Sequence, residues 1–369
     1  MPLDRGIIIK VTFKSDRMMR DPHVLYFHEN HIRRIAVFRA LYLGDMLCII
    51  PAIRALRKAY PDAEITLIGL PWQQEFVDRF SAYFDRFIAF PGWPGLPEQT
   101  IDPHRVTVFL AAIQDKKFDL VLQWQGNGSI TNSMVGLWGA KHIAGLRREN
   151  EYCPDEALFP VSEDSDHEVL RFFKVIQALN IPEQGSDLEF PILDDEWSQS
   201  NTIARALTLA AGAYVCIHPG ARDPKRRWSV ENFAAVADHL KCLGFEILLT
   251  GSGQELELLD RLESRMHVSS LNLVRRAGHV SMGVLAALVK NSALLVSNDT
   301  GISHVAAAIG VPSVVIFSRY SDPGRWRPLN EAIHSIVPAG RAETVDEVMN
   351  IVLQKLGSIP RASLLLHQK

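Results

Sequence analysis

A polar corner between an apolar strand and a helix of small residues holds the residue types in this sequence that best suit chemistry. The residues of this corner that suit chemistry are Asp299, Thr300, Gly301, Ser303 and His304. The free N–H groups at a helix N-terminus attract anions, and the helix dipole strengthens the effect. Two interpretations follow: the backbone of Thr300 and Gly301 binds a phosphate, or Asp299 only caps a buried helix.

A basic loop follows the first strand predicted in the second half of the chain. Its four cations are Arg222, Lys225, Arg226 and Arg227. Arginine forks match phosphate oxygens, and charge-assisted hydrogen bonds contribute ~1.5–3 kcal/mol each, so Arg222 and Arg226 are candidate phosphate ligands. The alternative is a solvated surface loop that is anchored by the packing of Trp228.

Asp45 lies, with Gly44, where the first predicted strand gives way to its helix. A carboxylate at that end of a parallel strand faces the ligand-binding edge of the sheet, where it can accept a proton from an incoming hydroxyl. General-base catalysis of this kind contributes about 10²–10⁴ in rate. The alternative is that Asp45 caps the helix.

Two further loops at predicted strand ends carry candidates. Gln125 and Asn127 lie in an amide- and glycine-rich loop that suits sugar hydroxyls, although an ordinary turn has the same composition. After another strand, residues 251–253 (GSG) lack the third glycine of a dinucleotide fingerprint, because Leu256 stands there; this argues against a nicotinamide-dependent dehydrogenase. Glu255 or Glu257 binds a ribose hydroxyl, or both are helix-start carboxylates favoured by the dipole.

Strands and helices alternate along both halves of the chain. The predicted strands span residues 34–39, 63–69, 87–90, 118–123, 142–145, 214–218, 245–250, 271–275, 293–297 and 313–317. The predicted helices span residues 53–60, 73–80, 104–116, 129–138, 166–179, 230–243, 254–265, 282–290 and 300–309, and residues 41–45 are predicted as a turn. This alternation predicts right-handed βαβ units, parallel sheets and ligand sites beyond the carboxyl ends of the strands.

The acidic, proline-containing stretch 181–195 is the best candidate for a boundary between two α/β domains. A chain of 369 residues is too long for one ordinary core and fits two such domains. We therefore assign residues 1–190 to a first domain, with residues 1–30 as an unplaced extension, and residues 191–343 to a second. Residues 344–369 follow the second domain.

Composition narrows the function classes. A net charge of −3 gives no general basic field for nucleic acid. The cysteines form no CxxC pair and the histidines show no HExxH spacing, so we expect neither a disulfide frame nor a metal site. No apolar run approaches the ~20 residues that span a bilayer, and the N-terminus lacks the features of a signal peptide. We expect a cytoplasmic protein in which any membrane contact is peripheral.

The order of these motifs resembles that of glycosyltransferase family 9, the lipopolysaccharide heptosyltransferases. The matching segments are Leu43-Gly44-Asp45, Pro51 to Leu56, Pro61 to Thr66, His218 to Ala221, Arg227-Trp228 with Phe233, Ala277-Gly278-His279, Leu285 to Leu288, Asp299 to Ala308 and Gly310-Val311-Pro312. The similarity as a whole covers roughly residues 34–356. Their preserved order makes the resemblance more specific than any one segment does.

The resemblance implies a GT-B fold, in which two Rossmann-like domains face each other across a cleft. The first domain would hold the acceptor, a lipid-linked or oligosaccharide glycan, and the second domain the nucleotide-sugar. A final helix, residues 344–356, would pack back on the first domain. The implied reaction is inverting transfer of a heptose from ADP-heptose, without a cofactor or an obligatory metal ion, in the cytoplasm or at the cytoplasmic face of the inner membrane.

The resemblance also implies roles for individual residues. Asp45 would be the catalytic base. Arg226 stands where the family usually has a phosphate-binding lysine, a change that keeps the charge and replaces a point charge by a fork. The implied donor contacts are Asp299 at the sugar, Thr300 and Gly301 at the diphosphate, and His304 nearby.

Two other functions stay open at the level of sequence. A non-catalytic protein that binds a nucleotide-sugar during envelope assembly would share the second-domain motifs, although the retained Asp45 argues against it. Another GT-B enzyme, such as a nucleotide-sugar epimerase, would convert the donor with no acceptor present. The sequence does not select the sugar, the acceptor or the linkage, and ADP-heptose is the default that the resemblance supplies.

Overall fold

The computed structural model describes residues 25–28 and 31–358. The predicted extension, residues 1–30, lies outside the described residues apart from 25–28, and so does the tail from residue 359. Within the described ranges, no helix has both the length and the apolar character needed to cross a bilayer.

The first sheet is built from parallel strands, of which the central ones are buried almost throughout and the edge ones are partly exposed. These strands are β1 (Arg34–Phe38), β2 (Glu64–Gly69), β3 (Arg86–Ala89), β4 (Leu120–Gln123) and β5 (His142–Gly145), in the order β3-β2-β1-β4-β5. In the register, Val37 lies between Leu67 of β2 and Leu122 of β4. Because helices cover both faces, the central strands are nearly continuous apolar runs, as parallel sheets require.

Local sequence signals start the helices around this sheet. These helices are α1 (Leu43–Leu47), α2 (Ile50–Ala59), α3 (Gln73–Arg79), α4 (Pro103–Asp115), α5 (Thr131–Gly136) and α6 (Leu170–Ala178). Pro51 stands in the first turn of α2, where its missing N–H costs no hydrogen bond. The Asp102 carboxylate caps α4 by accepting from the N–H groups of His104 and Arg105.

The prediction of a turn at residues 41–45 is wrong, because helix α1 begins there. The Met46 N–H donates to the Tyr42 carbonyl at 2.9 Å, and the Cys48 N–H donates to the Gly44 carbonyl at 3.2 Å. The side chains of Met46 and Leu47 are buried, so core packing holds this short helix despite its glycine. Asp45 therefore lies in the first turn of a helix.

The second sheet repeats the parallel arrangement with one more strand. Its strands are β6 (Tyr214–His218), β7 (Glu246–Leu249), β8 (Leu271–Asn272), β9 (Leu294–Asn298), β10 (Ser313–Ile316) and β11 (His334–Val337), in the order β11-β10-β9-β6-β7-β8. Counted within the sheet, this order is 3-2-1-4-5-6, the doubly wound order of Rossmann domains. Both predicted parallel sheets are thus present.

The second sheet has its own set of helices. They are α7 (Asp194–Ala206), α8 (Val230–Cys242), α9 (Leu256–Arg265), α10 (Leu273–Ala277), α11 (Met282–Lys290), α12 (Gly301–Ala308), α13 (Pro323–Trp326) and α14 (Val345–Ser358). The strand predicted over residues 271–275 is shorter than expected, because the Asn272 side chain accepts from the Arg275 N–H and starts α10. Helix α7 and strand β11 are further elements that the sequence did not predict.

The chain crosses from one set of helices to the other through an irregular segment, residues 181–193. Helix α6 before it packs on α2, whereas α7 after it packs on α11. The domain boundary predicted at residue 190 lies within this segment. The segment is also tied to the first domain, because Arg54 Nη2 donates to the carbonyl oxygens of Gly185 and Asp187 at 3.0 and 3.2 Å.

Helix α14 packs on the second sheet, which corrects the prediction that the final helix returns to the first domain. It contacts α8, β10 and β11. Its apolar stripe, Val348, Met349, Ile351 and Val352, is buried in the second-domain core. The helical spacing shows that one face is buried, but the same stripe fits either domain. Here it covers β10 and β11 of the second sheet.

Replacing Ile351 by alanine tests this placement of α14. We expect the second domain to lose about 2–5 kcal/mol of stability, because a buried side chain is removed and a cavity remains. Leu353 on the same helix is 44% exposed, and Leu353→Ala should change stability by less than about 0.5 kcal/mol. Hydrogen–deuterium exchange should show faster exchange in β10 and β11 for Ile351→Ala; faster exchange confined to β1–β5 would contradict the packing.

Candidate active site

Helices α1 and α12 pack against each other where the carboxyl ends of the two sheets meet. Each helix follows a strand at the switch point of its sheet, the place where α/β proteins bind ligands. A Cβ at residue 44 would lie 2.9 Å from His304 Cδ2 and 3.5 Å from Gly301 Cα, so the approach requires glycine. The predicted residues of both domains are therefore brought to one place.

His304 is buried in this contact between the domains. Its Nδ1 lies 3.8 Å from Cys48 Sγ, and its ring meets Trp326 edge-on with 6.0 Å between centroids. Burial lowers the pKa of His304, and the carboxylates of Asp299 and Asp45 offset part of the decrease. His304 is thus a packed imidazole that faces both predicted functional carboxylates.

Asp45, the predicted base, stands beside the α1–α12 contact with its side chain 23% exposed. Burial raises its pKa; the positive charge of Arg39 opposes the increase, and the carboxylate of Glu168 adds to it. A carboxylate with a raised pKa takes up a proton more readily than an ordinary aspartate, provided that substrate can reach it. Its environment suits a general base.

Arg39 is a buried residue of this site that the sequence did not reveal. It follows β1 and is 1% exposed. Its Nη1 donates to the Trp124 carbonyl at 2.6 Å, and its Nε donates to the Asp45 carbonyl at 3.1 Å. Its Nη2 donates to Glu168 Oε1 at 2.8 Å. Arg39 thereby links the ends of β1 and β4 to α1. The signal available in the sequence was an arginine directly after an apolar strand.

Glu168 is a second residue that sequence reasoning missed, and three arginines surround its carboxylate. Arg39 lies on one oxygen; Arg171 and Arg325 lie on the other, at 3.2 and 2.8 Å. Arg325 belongs to α13 of the second domain, and its carbonyl oxygen accepts a hydrogen bond from the Glu168 N–H at 3.0 Å. Burial would raise the pKa of Glu168, but the arginines lower it to about 2. The cluster joins both domains next to Asp45.

Arg226 and Asp299, predicted separately for the donor side, form an ion pair. Arg226 Nε also donates to Ser321 Oγ at 2.7 Å. Asp299 is 2% exposed, whereas the Arg226 side chain is 30% exposed. The pair leaves the arginine accessible and buries the carboxylate, so Asp299 orients Arg226. The interpretation of Asp299 as a helix cap is wrong, because its carboxylate pairs with Arg226 and Thr300 occupies the N-cap position.

The first turn of α12 contains the predicted phosphate-binding backbone. Thr300 is the N-cap, and within the described chain its side chain makes no capping hydrogen bond to the helix. Ser303 Oγ donates to the Thr300 carbonyl at 2.7 Å, which fixes the corner and occupies that hydroxyl proton. An uncapped helix N-terminus favours an anion. Gly301 adds no side chain that would hinder a ligand.

Asn298, which was not among the residues predicted from the sequence, holds the basic loop against this corner. It is fully buried. Its Nδ2 donates to the Pro219 carbonyl at 2.8 Å, and its Oδ1 accepts from the Trp228 N–H at 2.8 Å. Arg226 is carried by the loop between these two contacts. The available signal was an amide that ends an otherwise apolar strand.

Arg222 and Glu255, both predicted to contact the donor, each interact with another residue of the chain. The Arg222 guanidinium lies over the ring of Tyr42 in the first domain, so it bridges the cleft. Glu255 Oε2 accepts from Ser252 N and Oγ, both at 2.9 Å, in a capping box. A Cβ at Gly220 would overlap the Glu255 carboxylate, so that side chain lies at the end of β6. Glu255 is thus a carboxylate at the start of a helix, as the alternative interpretation expected, and a ribose contact stays a prediction.

The two acceptor-side candidates are held by local hydrogen bonds. Gln125 Oε1 accepts from the Ala40 N–H, and its Nε2 donates to Glu98 Oε1, both at 2.9 Å. Asn127 Oδ1 accepts from Ser129 N at 3.1 Å and Ser129 Oγ at 2.9 Å, as in an ordinary turn. Gln125 links the first strands to the Glu98 loop. A direct contact of either amide with the acceptor stays a prediction.

Comparison of the sequence with known proteins finds one family and several enzymes. The model of a family described as glycosyltransferase family 9 (heptosyltransferase) matches residues 106–355. Lipopolysaccharide heptosyltransferase 3 of Escherichia coli (strain K12) is 25% identical over 300 residues, which is 79% of this chain and 84% of that protein. Lipopolysaccharide heptosyltransferase 2 of the same strain is 24% identical over 312 residues, covering 80% and 86% of the two chains.

Solved structures share the fold. The structure of E. coli ADP-heptose LPS heptosyltransferase II superimposes with a TM-score of 0.67 at 20% identity, covering 92% of this chain and all of that chain. A glycosyl transferase family 9 protein from Veillonella parvula gives 0.67 at 21% identity, with coverages of 91% and 95%. Together with the two parallel sheets, these likenesses confirm the predicted GT-B fold.

Replacing Gly44 by alanine tests the close contact between α1 and α12. The added Cβ would press on His304, and overpacking of this kind costs about 1–3 kcal/mol, so we expect a lower unfolding temperature by calorimetry. Gly136→Ala in α5 is the matched control: its Cβ would meet nothing within 4 Å, and it should be neutral or stabilise by about 0.4–1 kcal/mol. Equal unfolding temperatures for Gly44→Ala and the unchanged chain would refute the contact.

Proposed function

Because this chain belongs to glycosyltransferase family 9, we propose that it transfers a heptose from ADP-heptose to a lipopolysaccharide-core acceptor with inversion at the anomeric carbon. The observation that carries the proposal is the contact of α1 with α12, which sets Asp45 of one domain opposite the uncapped helix start of the other. A base and an anion site are thereby opposed across one cleft. The heptose and its acceptor follow from the names of the relatives.

In the proposed reaction, an acceptor hydroxyl attacks the anomeric carbon from the side of Asp45. The new C–O bond forms while the bond from that carbon to the diphosphate oxygen breaks. The hydroxyl proton goes to the Asp45 carboxylate, and the electron pair of the broken bond leaves with ADP. The raised pKa of Asp45 lies closer to the working pH than that of an ordinary aspartate, which makes Asp45 a more effective base.

The departing diphosphate gains negative charge in the transition state, and we propose that the second domain stabilises that charge. The first N–H groups of α12 and the accessible guanidinium of Arg226 are its donors. Donors already in place stabilise the transition state more than the ground state, because they need no reorganisation. Asp299 and Ser321 fix Arg226, which supports this role.

We further propose that catalysis needs neither a cofactor nor a bound metal ion, since Arg226 and the α12 start supply the positive charge that a cation would provide. The acceptor in this proposal is a lipid-linked or oligosaccharide glycan. Such an acceptor calls for a cytoplasmic enzyme in peripheral contact with the cytoplasmic face of the inner membrane. Gln125 and Asn127, at the end of β4, face the acceptor in this arrangement.

Asp45→Asn tests the role of the base. Donor affinity, measured by calorimetry, should stay within about threefold, whereas transfer should fall by at least about 10² because no group accepts the proton. Asp78→Asn, at an exposed aspartate of α3, is the control and should keep full activity. Full transfer by Asp45→Asn would refute the assignment. Donor binding without any turnover by the unchanged chain would favour a binding protein, and donor conversion without acceptor an epimerase.

A thermal-shift series of ADP-, GDP- and UDP-sugars tests the donor. ADP-heptose at 100 times its Kd should add ~2.7 kcal/mol to stability, and GDP- and UDP-sugars at the same concentration should add much less. Arg226→Ala should reduce the shift given by ADP-heptose, because the diphosphate loses a charged partner. A larger shift with a GDP- or UDP-sugar would replace ADP-heptose as the proposed donor, and a transfer assay with and without EDTA would then be run on that sugar.

A further inference from the structure

Arg39 has two carboxylates within reach and bonds to only one of them. Its Nη2 lies 2.8 Å from Glu168 Oε1 and 3.6 Å from Asp45 Oδ1. The second distance is too long for a hydrogen bond. The remaining nitrogens of Arg39 donate to the backbone carbonyls of Trp124 and Asp45. The guanidinium is therefore held beside the Asp45 carboxylate without forming a hydrogen-bonded ion pair with it.

The carboxylate of Glu168 is fixed from its other side by both domains. Its Oε2 accepts from Arg325 Nε at 2.9 Å and from Arg171 Nη1 at 3.2 Å. Arg171 belongs to α6 of the first domain and Arg325 to α13 of the second. A buried carboxylate needs such partners to offset its lost hydration. With Oε2 occupied in this way, Oε1 is directed at Arg39, so the position of Arg39 follows from that of Glu168.

A direct pair with Arg39 would make Asp45 a weaker base. An opposite charge in contact lowers the pKa of a carboxylate by about 1–3 units. The most effective base is one whose pKa lies near the working pH. An Arg39 that turned from Glu168 to Asp45 would therefore remove the basicity that burial gives to Asp45.

We propose that Glu168 is a positioning residue for the transfer reaction: it holds Arg39 away from the Asp45 carboxylate and so keeps Asp45 a base. The inference rests on the proposed function, in which Asp45 accepts the proton of the acceptor hydroxyl. Glu168 acts through Arg39, and its partner Arg325 makes the arrangement depend on the second domain.

Several titratable or charged groups face Asp45 from the surrounding elements. They are Arg39, Cys48, Glu98, Glu168 and His304. Replacing Glu168 by glutamine removes one negative charge and frees Arg39 to approach Asp45, whereas the contacts of the other three groups stay as they are. Both changes favour the charged form of Asp45. The pKa of Asp45 must then fall, and the pH at which protonation of Asp45 changes stability or activity must fall with it.

The deciding measurement is an NMR titration of the full chain labelled with [γ-¹³C]aspartate, in which the Asp45 signal is identified by its loss in Asp45→Asn. In Glu168→Gln, the pKa of Asp45 should be lower by about 1 unit or more. This readout needs neither donor nor acceptor, so it stands apart from the proposed function. In the transfer assay, the acid limb of kcat should move to lower pH by the same amount and kcat should fall several-fold, with a smaller change in donor KM.

A double-substitution cycle shows whether Glu168 acts through Arg39. Arg39→Met alone should raise the pKa of Asp45. Added to Arg39→Met, Glu168→Gln should lower that pKa much less than it does alone. Glu196→Gln is the matched control, because Glu196 is also buried and bonds to Arg79 at 2.7 Å, but at the α3–α7 contact; it should leave the pKa of Asp45 unchanged.

Three outcomes would overturn the inference: an unchanged Asp45 pKa in Glu168→Gln, an equal decrease with and without Arg39, or the same decrease in Glu196→Gln. If Glu168→Gln does not fold, the test is made with Arg39→Met. An Asp45 pKa that is unchanged or lower in Arg39→Met would also refute the inference. Failure of the proposed function gives a different result. The unchanged chain would then transfer no heptose, while the NMR shifts would still report the link between Glu168 and Asp45.

Discussion

The close approach of α1 to α12 is the constraint on which the rest of the site depends. Gly44 must lack a side chain because the His304 ring occupies the space that a Cβ would need. Each helix starts at the switch point of a parallel sheet, so contact between the helices brings both carboxyl edges together. The apolar residues beneath continue this contact, since one buried cluster runs from Met46 of α1 to Val305 of α12. Asp45 of one domain and a helix start of the other thereby share a cleft.

Burial in this contact determines how the charges are arranged. Charged groups that lose water must find partners, and here each buried carboxylate is matched to arginine: Glu168 to three of them, Asp299 to Arg226. Asp45 is the exception, because its arginine neighbour is bonded elsewhere and its pKa rises. The same cost that forces Glu168 and Asp299 into pairs therefore gives Asp45 its basic character. All three are aspartate or glutamate near the same cleft, and they differ in their partners.

The sequence predicted what is local and missed what depends on distant packing. Asp45 and Asp299 were located because polar residues after apolar strands must lie at the ligand-binding edge of a parallel sheet. Arg39 and Glu168 are 129 positions apart, and neither stands in a recognisable motif, so only the folded chain shows that they pair. Helix α14 was predicted near its observed bounds, yet its apolar stripe could not indicate which domain it covers. Periodicity identifies a buried face, whereas the identity of the covering surface is a long-range property.

The pairing of buried carboxylates with arginines also explains why an arginine suits position 226. Its Nε is used by Ser321 and its Nη2 by Asp299, which among the described residues leaves the Nη1 N–H groups for a ligand. A lysine ammonium is a compact point charge on a flexible stem, and one buried carboxylate would draw it inward. The rigid fork of an arginine can satisfy Asp299 and Ser321 on two edges and still direct a third edge outward. A buried aspartate can therefore pair with a neighbouring cation and still leave that cation donors for a ligand when the cation is arginine, and the 30% exposure of the Arg226 side chain agrees with this division of donors.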